Sequence, residues 1–348
     1  MRTYLITGGM GFIGSNYIHY LYETQYMRTS EIPNCGDTDK TKSKETFRII
    51  NLDLLTYAAN PEYVEEFNHL ENYIFIHGDI CDEELVTNIL TDYEVDTIVH
   101  FAAETHVDNS IQNPDPFIKT NITGTHVLLK SAKTVWEAPT GYKDKKFLYI
   151  STDEVYGTLG KEGYFREDSP VYPKNPYSAA KASAELLCKS YYNTYGLPVL
   201  ISRCSNNYGP GQHPEKLIPL LIKNLTEKKK LPIYGDGTAV RDWLYVGDHC
   251  SAIEKILDLG KPGEIYNIGC NNEKNTLEIA EILLSMIPTT PAVTLQDAVS
   301  FVPDRPGHDM RYAIDASKLT TELGWKPKTD FAQGLFNTVN WYLKKYKQ

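Results

Sequence analysis

Short apolar stretches alternate with helical repeats along the first 203 residues of the chain. The apolar stretches are rich in aromatic and β-branched residues, which is typical of strands buried on both faces of a parallel sheet. Between them, apolar residues recur at helical spacing, as at Ile13, Tyr17 and Leu21. This alternation predicts an α/β fold with a doubly wound parallel sheet. The predicted strands are Tyr4–Thr7, Phe47–Leu52, Tyr73–Ile76, Thr97–Phe101, Phe147–Ile150 and Val199–Arg203, and the longest predicted helices are Pro116–Trp136 and Tyr177–Tyr195.

Beyond Arg203 the pattern changes to segments rich in glycine, proline and amide side chains. These segments also carry arginine, histidine and tyrosine, which suits a surface that binds a polar ligand. We therefore predict that residues 1–203 form one domain. Residues 204–348 are expected to form mainly a smaller substrate-binding lobe, with some segments returning to the first domain. The predicted loops of the smaller lobe include Cys204–His213, Leu231–Gly237, Val240–Trp243 and Pro303–Tyr312.

Composition excludes several classes of function. The 348-residue chain has a formal net charge of −10, which argues against nonspecific binding to nucleic acid or to anionic membranes. Its six cysteines are scattered without a CxxC pair, which is typical of free thiols rather than of a disulfide framework or a zinc site. No apolar run reaches membrane-spanning length, and no signal peptide is visible. We expect a cytoplasmic enzyme without a metal site.

A glycine-rich turn joins the first predicted strand to the first predicted helix. Gly8, Gly11 and Gly14 would let the backbone turn tightly, approach a pyrophosphate and pack the helix against the strand. A bare glycine pattern is weak evidence and can belong to a structural turn. Its position between a strand and a helix at the start of the chain predicts a dinucleotide-binding Rossmann domain.

The acid that completes such a motif normally follows the second strand, about 20 residues after the glycines. Here the polar stretch 27–46 occupies that place, and we interpret it as a surface insertion. Asp53, directly after Phe47–Leu52, is then the acid that bonds the adenosine ribose and favours NAD over NADP. Capping of a helix by Asp53 is the alternative interpretation.

The ends of the third and fourth strands offer further cofactor contacts. Asp79 and Ile80 follow the third strand and are candidates for contact with the adenine. Ala102 and Ala103 follow the fourth strand, and their small side chains allow a cofactor to approach closely.

The stretch Phe147–Gly157 carries the clearest chemical signal in the chain. A buried strand ends in a hydroxyl, Thr152, followed by the two acids Asp153 and Glu154. Open α/β sheets bind ligands at this end of their strands. Two carboxyls in one crevice do not share a pKa, so the one in the drier setting becomes a proton donor while the other stays ionised.

Tyr177 and Lys181 form a second chemical signal. They lie four residues apart on a predicted helix and therefore share a face. A cation beside a phenol favours the phenolate, so Tyr177 is expected to act as a base near neutral pH.

Arginines in the smaller lobe suggest a phosphorylated substrate. Arg241 and Arg305 lie in predicted loops, and the guanidinium group binds phosphate in a bidentate manner. Surface salt bridges are the alternative for either arginine alone.

These residues resemble a known group, the extended short-chain dehydrogenase/reductases, through Thr7–Gly14 and Tyr177-x-x-x-Lys181. Within the group the chain is similar to the nucleotide-sugar 4,6-dehydratases over nearly its whole length, except for residues 27–46. The Thr152-Asp153-Glu154 trio is the most specific part, because epimerases and decarboxylases of similar fold usually lack the Asp-Glu pair. The stretches that carry the resemblance are Phe101–Asp108, Ser151–Gly157, Arg203–Pro219 and Asp304–Asp315.

The resemblance implies a redox-neutral elimination on a sugar nucleotide, with a dTDP-linked glucose as the first expectation. Tyr177, helped by Thr152, would remove the proton of the 4-hydroxyl while NAD accepts a hydride from C4. Glu154 would take the C5 proton, Asp153 would protonate the departing 6-hydroxyl, and the hydride would return to C6. Lys181 would also hold the nicotinamide ribose. The product would be a 4-keto-6-deoxy sugar nucleotide.

The resemblance also implies a set of binding residues and a homodimer paired through the helices that begin near Pro116 and Tyr177. Together with the glycine motif, it gives the cofactor contacts Gly8, Gly11, Phe12, Ile13, Gly14, Asp53, Leu54, Leu55, Thr56, Asp79, Ile80, Phe101, Ala102, Ala103, Thr120, Tyr177, Lys181 and Asn207. The implied substrate contacts are Thr105, Thr152, Asn206, Lys216, Leu217, Pro232, Tyr234, Arg241, Asn275, Arg305, His308 and Tyr312.

Several alternatives stay open at this point. UDP-glucose or UDP-N-acetylglucosamine are alternative substrates. Thr105 stands where serine is usual near the hexose, which leaves the C2 substituent open. Thymine differs from uracil by one methyl group, which leaves the base open. A UDP-sugar 4-epimerase would need Tyr177, Lys181 and NAD, but no acid to expel a 6-hydroxyl. An NAD-sensing binding protein that has lost its chemistry is a further alternative. Such a protein would not need to retain Asp153, Glu154, Tyr177 and Lys181 together.

Overall fold

The computed structural model describes residues 1–30, 47–137, 141–287, 293–304 and 309–347. The predicted insertion at 27–46 falls mostly outside this description, although residues 27–30 form the end of the first helix. The strands are β1 (Arg2–Thr7), β2 (Phe47–Asp53), β3 (Tyr73–His77), β4 (Thr97–His100), β5 (Lys146–Thr152), β6 (Val199–Cys204), β7 (Asn206–Tyr208), β8 (Leu231–Tyr234), β9 (Val240–Tyr245), β10 (Ile265–Ile268), β11 (Glu273–Asn275) and β12 (Val299–Val302).

The helices follow the strands in alternation through the first part of the chain. A π-helical turn, Ile118–Gly124, lies between α5 and α6, and a 3-10 turn, Asp153–Tyr156, follows β5. The α-helices are α1 (Phe12–Ser30), α2 (Glu62–Phe67), α3 (Glu83–Asp92), α4 (Val107–Gln112), α5 (Asp115–Phe117), α6 (Thr125–Trp136), α7 (Pro176–Tyr195), α8 (Leu217–Thr226), α9 (Val246–Leu259), α10 (Thr276–Met286), α11 (Leu295–Ala298), α12 (Ser317–Leu323) and α13 (Phe331–Lys345).

Seven strands form one parallel sheet in the order β10-β6-β5-β4-β1-β2-β3. The chain starts at β1, adds β2 and β3 on one side, and then adds β4, β5 and β6 on the other. The carboxyl ends of β1 and β4 therefore border the switch point of a doubly wound sheet, where such folds bind ligands. The predicted fold class is confirmed.

Helices cover both faces of this sheet and bury two separate hydrophobic cores. One core contains Tyr17 and Ile18 of α1 together with Ile253 of α9. The other contains Leu128 of α6 and Cys188 of α7, and α3 packs beside α6. A third core, in the second half of the chain, packs α8, α10 and α13 against β8. No helix in the described part of the chain is long and apolar enough to cross a membrane.

The second half of the chain contains more strands than the sequence pattern predicted. Val240–Trp243 was predicted to be a loop but lies in β9, which pairs with both β7 and β11. Leu231–Tyr234 is β8, paired with β12. These strands are short and pair with distant segments, so local composition does not reveal them. The division at residue 203 stays a prediction, and β10 of the main sheet comes from beyond it.

The predicted helix Pro116–Trp136 is continuous from Asp115 but contains the π-helical turn in its first half. π-helical turns inside α-helices are rare and often occur at functional sites. This turn places Thr120 on the wall of the cavity described below.

Candidate functional site

The carboxyl end of β5 places three candidate catalytic side chains at the ligand-binding edge of the sheet. The strand is buried along its length, so Thr152 is held firmly at that edge. The Thr152 hydroxyl accepts a hydrogen bond from the Glu154 amide at 3.2 Å as the chain enters the 3-10 turn. Gly157 ends the turn with φ of 80°, a conformation that favours glycine. The turn therefore fixes Asp153 and Glu154 beside Thr152.

One cavity joins this turn to the glycine-rich turn and to the first loop of the smaller lobe. All five predicted catalytic residues line it, namely Thr152, Asp153, Glu154, Tyr177 and Lys181. Every predicted cofactor contact except Leu55 also lines it, from Gly8, Gly11, Phe12, Ile13, Gly14, Asp53, Leu54 and Thr56 to Asp79, Ile80, Phe101, Ala102, Ala103, Thr120 and Asn207. Four predicted substrate contacts line it as well, Thr105, Thr152, Asn206 and Lys216.

Burial makes Asp153 the stronger candidate for a proton donor. Its side chain is 2% exposed, and burial raises its pKa well above the usual value, helped by the negative charges of Glu154 and Asp242. Arg241 and the Thr152 hydroxyl oppose this rise without reversing it. The Oδ2 atom of Asp153 has no hydrogen-bond partner among the residues that the structure describes. A protonated carboxyl with one free oxygen is able to donate its proton to a bound ligand.

Burial affects the pKa of Tyr177 more strongly than the charge of Lys181 does. The Lys181 ammonium donates to the Ile150 carbonyl at 2.6 Å and lies 4.4 Å from the centre of the Tyr149 ring. Burial raises the pKa of Tyr177 well above its usual value, and the Glu154 charge raises it further. Burial also lowers the pKa of Lys181 to about 8. The cation is directed at β5 and desolvation dominates the pKa of Tyr177, so the role of Tyr177 as a base stays a prediction.

The glycine-rich turn forms a cradle that side chains would fill. Gly8 has φ of 74°, and a Cβ atom there would lie 2.6 Å from the Ala102 amide nitrogen. A Cβ atom on Gly14 would lie 2.3 Å from the Gly8 carbonyl oxygen. Glycine at these positions lets β1, β4 and α1 approach closely. This close approach is what a pyrophosphate-binding turn requires.

Asp53 lies beside this cradle and does not cap a helix. One oxygen of its carboxyl accepts the Met10 amide at 2.9 Å, and the other accepts the Leu55 amide at 2.8 Å. Burial raises its pKa, and these two amides oppose the rise. Asp53 lines the cavity, so its position fits an acid that reaches an adenosine ribose.

The chain beyond β6 contributes Asn206, Asn207 and Lys216 to the cavity. The Lys216 ammonium donates to the Thr105 carbonyl at 3.0 Å and so links this part of the chain to the segment after β4. The Asn207 amide oxygen lies 2.9 Å from the His249 ring nitrogen Nδ1, which fixes the orientation of the amide.

Arg241 and Tyr312 lie outside the cavity lining but close to its acids. The Arg241 guanidinium lies 4.4 Å from the centre of the Tyr312 ring and donates to the Asp309 carbonyl at 2.7 Å. The charge of Arg241 partly opposes the rise that burial causes in the pKa of Asp153. Burial is the main cause that raises the pKa of Tyr312, and the charge of Glu154 is the next. Both side chains, which come from the second half of the chain, therefore adjoin the acid pair.

The remaining predicted cofactor and substrate contacts do not line this cavity or lie outside the residues that the structure describes. Asn275 caps α10, and its side chain accepts the Glu278 amide at 2.9 Å. Arg305 and His308 lie outside the described residues. The other positions that do not line the cavity are Leu55, beside Asp53; Leu217, at the start of α8; and Pro232 and Tyr234, in β8.

Sequence reasoning missed several polar residues of the cavity wall. Ser151 and Ser205 each have a buried hydroxyl oxygen without a partner in the described part of the chain, as does the amide oxygen of Asn206, which the sequence did predict as a contact. Unpartnered polar atoms of this kind fit a polar ligand. Glu104 and Glu215 also line the cavity. Their position in the sequence could have revealed the two serines, because Ser151 lies near the end of β5 and Ser205 directly follows β6.

Known proteins match this chain over almost its full length. The model of the family described as GDP-mannose 4,6 dehydratase matches residues 5–338. The dTDP-glucose 4,6-dehydratase of Xanthomonas campestris pv. campestris (strain B100) is 45% identical over 349 residues, which cover 99% of this chain and 93% of that protein. The crystal structure of dTDP-glucose 4,6-dehydratase from Bacillus anthracis str. Ames in complex with NAD has a TM-score of 0.84 at 45% identity and covers 100% of this chain and 98% of its own.

The fold alone does not distinguish a dehydratase from an epimerase. The UDP-glucose 4-epimerase of Thermotoga maritima, solved with UDP-glucose, has a TM-score of 0.83 at 28% identity and covers 99% of this chain and 100% of its own. The higher identity to dehydratases and the family match both extend over the cavity residues. The chain therefore belongs to the GDP-mannose 4,6 dehydratase family, which confirms the resemblance to nucleotide-sugar 4,6-dehydratases.

Proposed function

We propose that the protein is an NAD-dependent nucleotide-sugar 4,6-dehydratase that converts dTDP-glucose to dTDP-4-keto-6-deoxyglucose and water. One observation carries the proposal. A buried acid with a raised pKa, Asp153, shares a cavity with Glu154, Tyr177 and a glycine cradle suited to a dinucleotide. The similar dehydratases support dTDP-glucose as the substrate.

The cofactor residues of this chain would hold NAD along the ends of the strands. The glycine cradle would take the pyrophosphate, Asp53 the adenosine ribose and Lys181 the nicotinamide ribose. Bound NAD would supply a hydride acceptor for C4, a hydride donor for C6 and a positive ring charge that favours a phenolate at Tyr177.

Tyr177 would take the proton of the sugar 4-hydroxyl. Its raised pKa comes from burial and from Glu154, so a bound cofactor would have to supply the compensating charge. The Thr152 hydroxyl lowers the pKa of Tyr177 through a hydrogen bond. It is therefore placed to bridge Tyr177 and the sugar oxygen.

The acid pair would then perform the elimination. The 4-ketone acidifies the C5 hydrogen, and Glu154 takes it as a proton. The C6–O bond breaks while Asp153 gives its proton to the departing oxygen, which leaves as water. Asp153 suits this step because burial raises its pKa and because its Oδ2 atom has no partner among the described residues.

Polar groups from both lobes would hold the rest of the substrate. Lys216 and Asn206 line the cavity, and Arg241 adjoins the acid pair from the smaller lobe. Lysine and arginine are the side chains best suited to a diphosphate. We assign them this role together with Thr105, which lines the cavity near them.

We further propose that two copies of the chain associate through α7 and the helix around the π turn. Both carry large apolar side chains that are exposed in the single chain, Leu186 at 66% and Ile118 at 51%. Tyr192 and Tyr195 on α7 add exposed aromatic surface. Exposed apolar surface on neighbouring helices is typical of a protein interface.

The experiment that tests the proposed reaction is mass spectrometry of sugar nucleotides after incubation with the purified protein, without added reductant. Loss of one water from dTDP-glucose, UDP-glucose or UDP-N-acetylglucosamine would support dehydration and identify the preferred substrate. Tyr177→Phe is the control, because it should keep bound NAD but form no product. Formation of an isomer of unchanged mass would overturn the proposal in favour of an epimerase.

A further inference from the structure

A buried hydrogen-bonded chain runs beneath the proposed cofactor end of the cavity. His100 ends β4 with a buried side chain, and both of its ring nitrogens have partners. Nδ1 lies 2.7 Å from the Thr7 hydroxyl, and Nε2 lies 2.9 Å from the Thr125 hydroxyl. The Thr125 hydroxyl in turn lies 2.6 Å from the Asn121 carbonyl oxygen.

The Asn121 carbonyl at one end fixes the direction of the bonds between His100, Thr125 and Asn121. A carbonyl oxygen only accepts, so the Thr125 hydroxyl donates to Asn121 and must accept from Nε2–H of His100. When the ring is neutral, Nδ1 carries no hydrogen and accepts from the Thr7 hydroxyl. The Thr7 oxygen is left to accept the Ala102 amide at 3.3 Å. The bonds therefore place a hydrogen on Nε2 of His100, and a neutral ring with that hydrogen satisfies all of these partners.

The electrostatic surroundings agree with a neutral ring. Burial lowers the pKa of His100 to about 3, and the nearby Lys181 charge lowers it in the same direction. The ring packs against Tyr149, with the two ring centres 5.5 Å apart. The tautomer is therefore held both by its partners and by its environment.

The chain of bonds connects three separate walls of the cavity. Thr7 precedes the glycine cradle, and Ala102 belongs to the segment after β4. Asn121 lies in the π turn beside Thr120, and its side-chain amide clamps the Glu104 backbone through bonds of 2.9 and 3.0 Å. These walls come from β1, β4 and the π turn. β1 pairs with β4, but within the described residues no strand pairing joins either of them to the π turn.

We propose that His100 is a positioning residue, which holds the glycine cradle, the Ala102–Thr105 segment and the π turn in register for the dinucleotide through a single neutral tautomer. This inference rests on the proposed cofactor. It adds a residue that would act without touching the cofactor itself.

The test combines a spectroscopic signature with a matched pair of variants. Nitrogen NMR of the full-length protein labelled in its histidines should show one neutral ring protonated on Nε2, unchanged from about pH 6 to 8, which disappears in His100→Gln. Thr125→Val keeps the shape of the side chain but removes the hydroxyl, whereas Thr125→Ser keeps the hydroxyl. We expect Thr125→Val to weaken NAD binding about tenfold, the effect of one lost or misplaced hydrogen bond, and Thr125→Ser to restore it.

Two results would overturn the inference. One is a His100 ring in the wild type that is protonated on Nδ1 or carries a charge, a result that needs no variant to fold. The other is a Thr125→Val variant that binds NAD as tightly as the wild type. Binding of NAD to the wild type tests the proposed function separately, because the inference concerns the tautomer and the ratio between variants.

Discussion

At the residue scale, two adjacent acids acquire different chemistry from their surroundings. Asp153 is buried inside the 3-10 turn, whereas Glu154 is partly exposed in the cavity wall. Desolvation disfavours the charged form of a carboxyl, so burial alone separates a proton donor from a neighbour of nearly identical intrinsic acidity. The assignment of Asp153 as the acid therefore depends on its depth in the protein.

The first prediction concerns the order of the chemical steps. Asp153→Asn keeps the size of the side chain but removes the proton that the leaving 6-hydroxyl needs. We expect elimination to slow by about 10²–10⁴-fold, the usual contribution of a general acid, while C4 oxidation is largely preserved. Stopped-flow absorbance of the reduced nicotinamide should then show a signal that persists instead of decaying. A variant with undiminished dehydration would remove Asp153 from the acid role.

The second prediction concerns stability. The raised pKa means that folded Asp153 keeps a proton that the unfolded chain releases near pH 4. Stability of the wild type therefore falls as pH rises from about 4 through the folded pKa. The asparagine of Asp153→Asn does not titrate. The difference in free energy of unfolding between variant and wild type should therefore shift in favour of the variant as the pH rises over this range. Urea unfolding at several pH values measures this difference, with the exposed change Asp168→Asn as the control.

At the element scale, the site depends on how closely β1, β4 and α1 approach one another. Gly14 sits in the first turn of α1, directly against the Gly8 carbonyl. α7 is held in its own place by local signals: the Asn175 side chain caps its first turn, and Gly196 ends it with φ of 70°. These signals fix where Tyr177 and Lys181 stand along the crevice.

The third prediction tests the close approach at the glycine cradle. A Cβ atom on Gly14 would meet backbone at 2.3 Å, whereas a Cβ atom on Gly11 would lie 3.3 Å from the same carbonyl oxygen. Gly14→Ala should lower the free energy of unfolding of the cofactor-free protein by about 1–3 kcal/mol, the usual effect of overpacking. Gly11→Ala is the matched control and should cost less. Equal effects in denaturant titrations would show that packing against Gly8 is not the constraint.

The sequence predicted these elements well where the pattern was local. Six of the strands of the main sheet were recognised from their apolar runs, and β5 led to the acids because its residues read as a buried strand with polar groups at its end. The glycine spacing led to the cradle for the same reason. Local patterns succeed because a few neighbouring residues determine both the burial of a strand and the geometry of a turn.

The sequence did not predict features that depend on distant partners. β9 pairs with segments on either side of it in the chain, and nothing in Val240–Trp243 signals those partners. The pKa of Tyr177 depends on burial and on Glu154 more than on the neighbour four residues away. The chain through His100 joins three elements that lie up to 118 residues apart in sequence, from Thr7 to Thr125. Tertiary placement decides each of these features.

At the scale of the whole molecule, the cavity forms where the two parts of the chain meet. Lys216 reaches the Thr105 carbonyl across this junction, and the Tyr234 hydroxyl lies 3.3 Å from the Asp108 carboxyl. Both contacts pair a residue of the segment after β4 with a residue from the second half of the chain. A ligand that spans the cavity would therefore touch both parts.

The fourth prediction tests the proposed association of two copies. Leu186→Glu places a charge in the centre of the exposed apolar surface of α7, so we expect the dimer to dissociate to single chains in analytical ultracentrifugation. Phe336→Glu is the matched control, because Phe336 is 55% exposed but lies on α13, away from that surface. Dissociation caused by Phe336→Glu instead would place the interface elsewhere.

The central claim is an elimination in which one hydride leaves C4 and returns to C6 of the same sugar. Its most direct test is mass spectrometry and NMR of the product formed from dTDP-glucose labelled with deuterium at C4. The account predicts a product lighter by one water that carries the deuterium on C6. A product that has the deuterium at C4 with all oxygens retained would contradict it, and so would a dehydrated product that has lost the label to solvent.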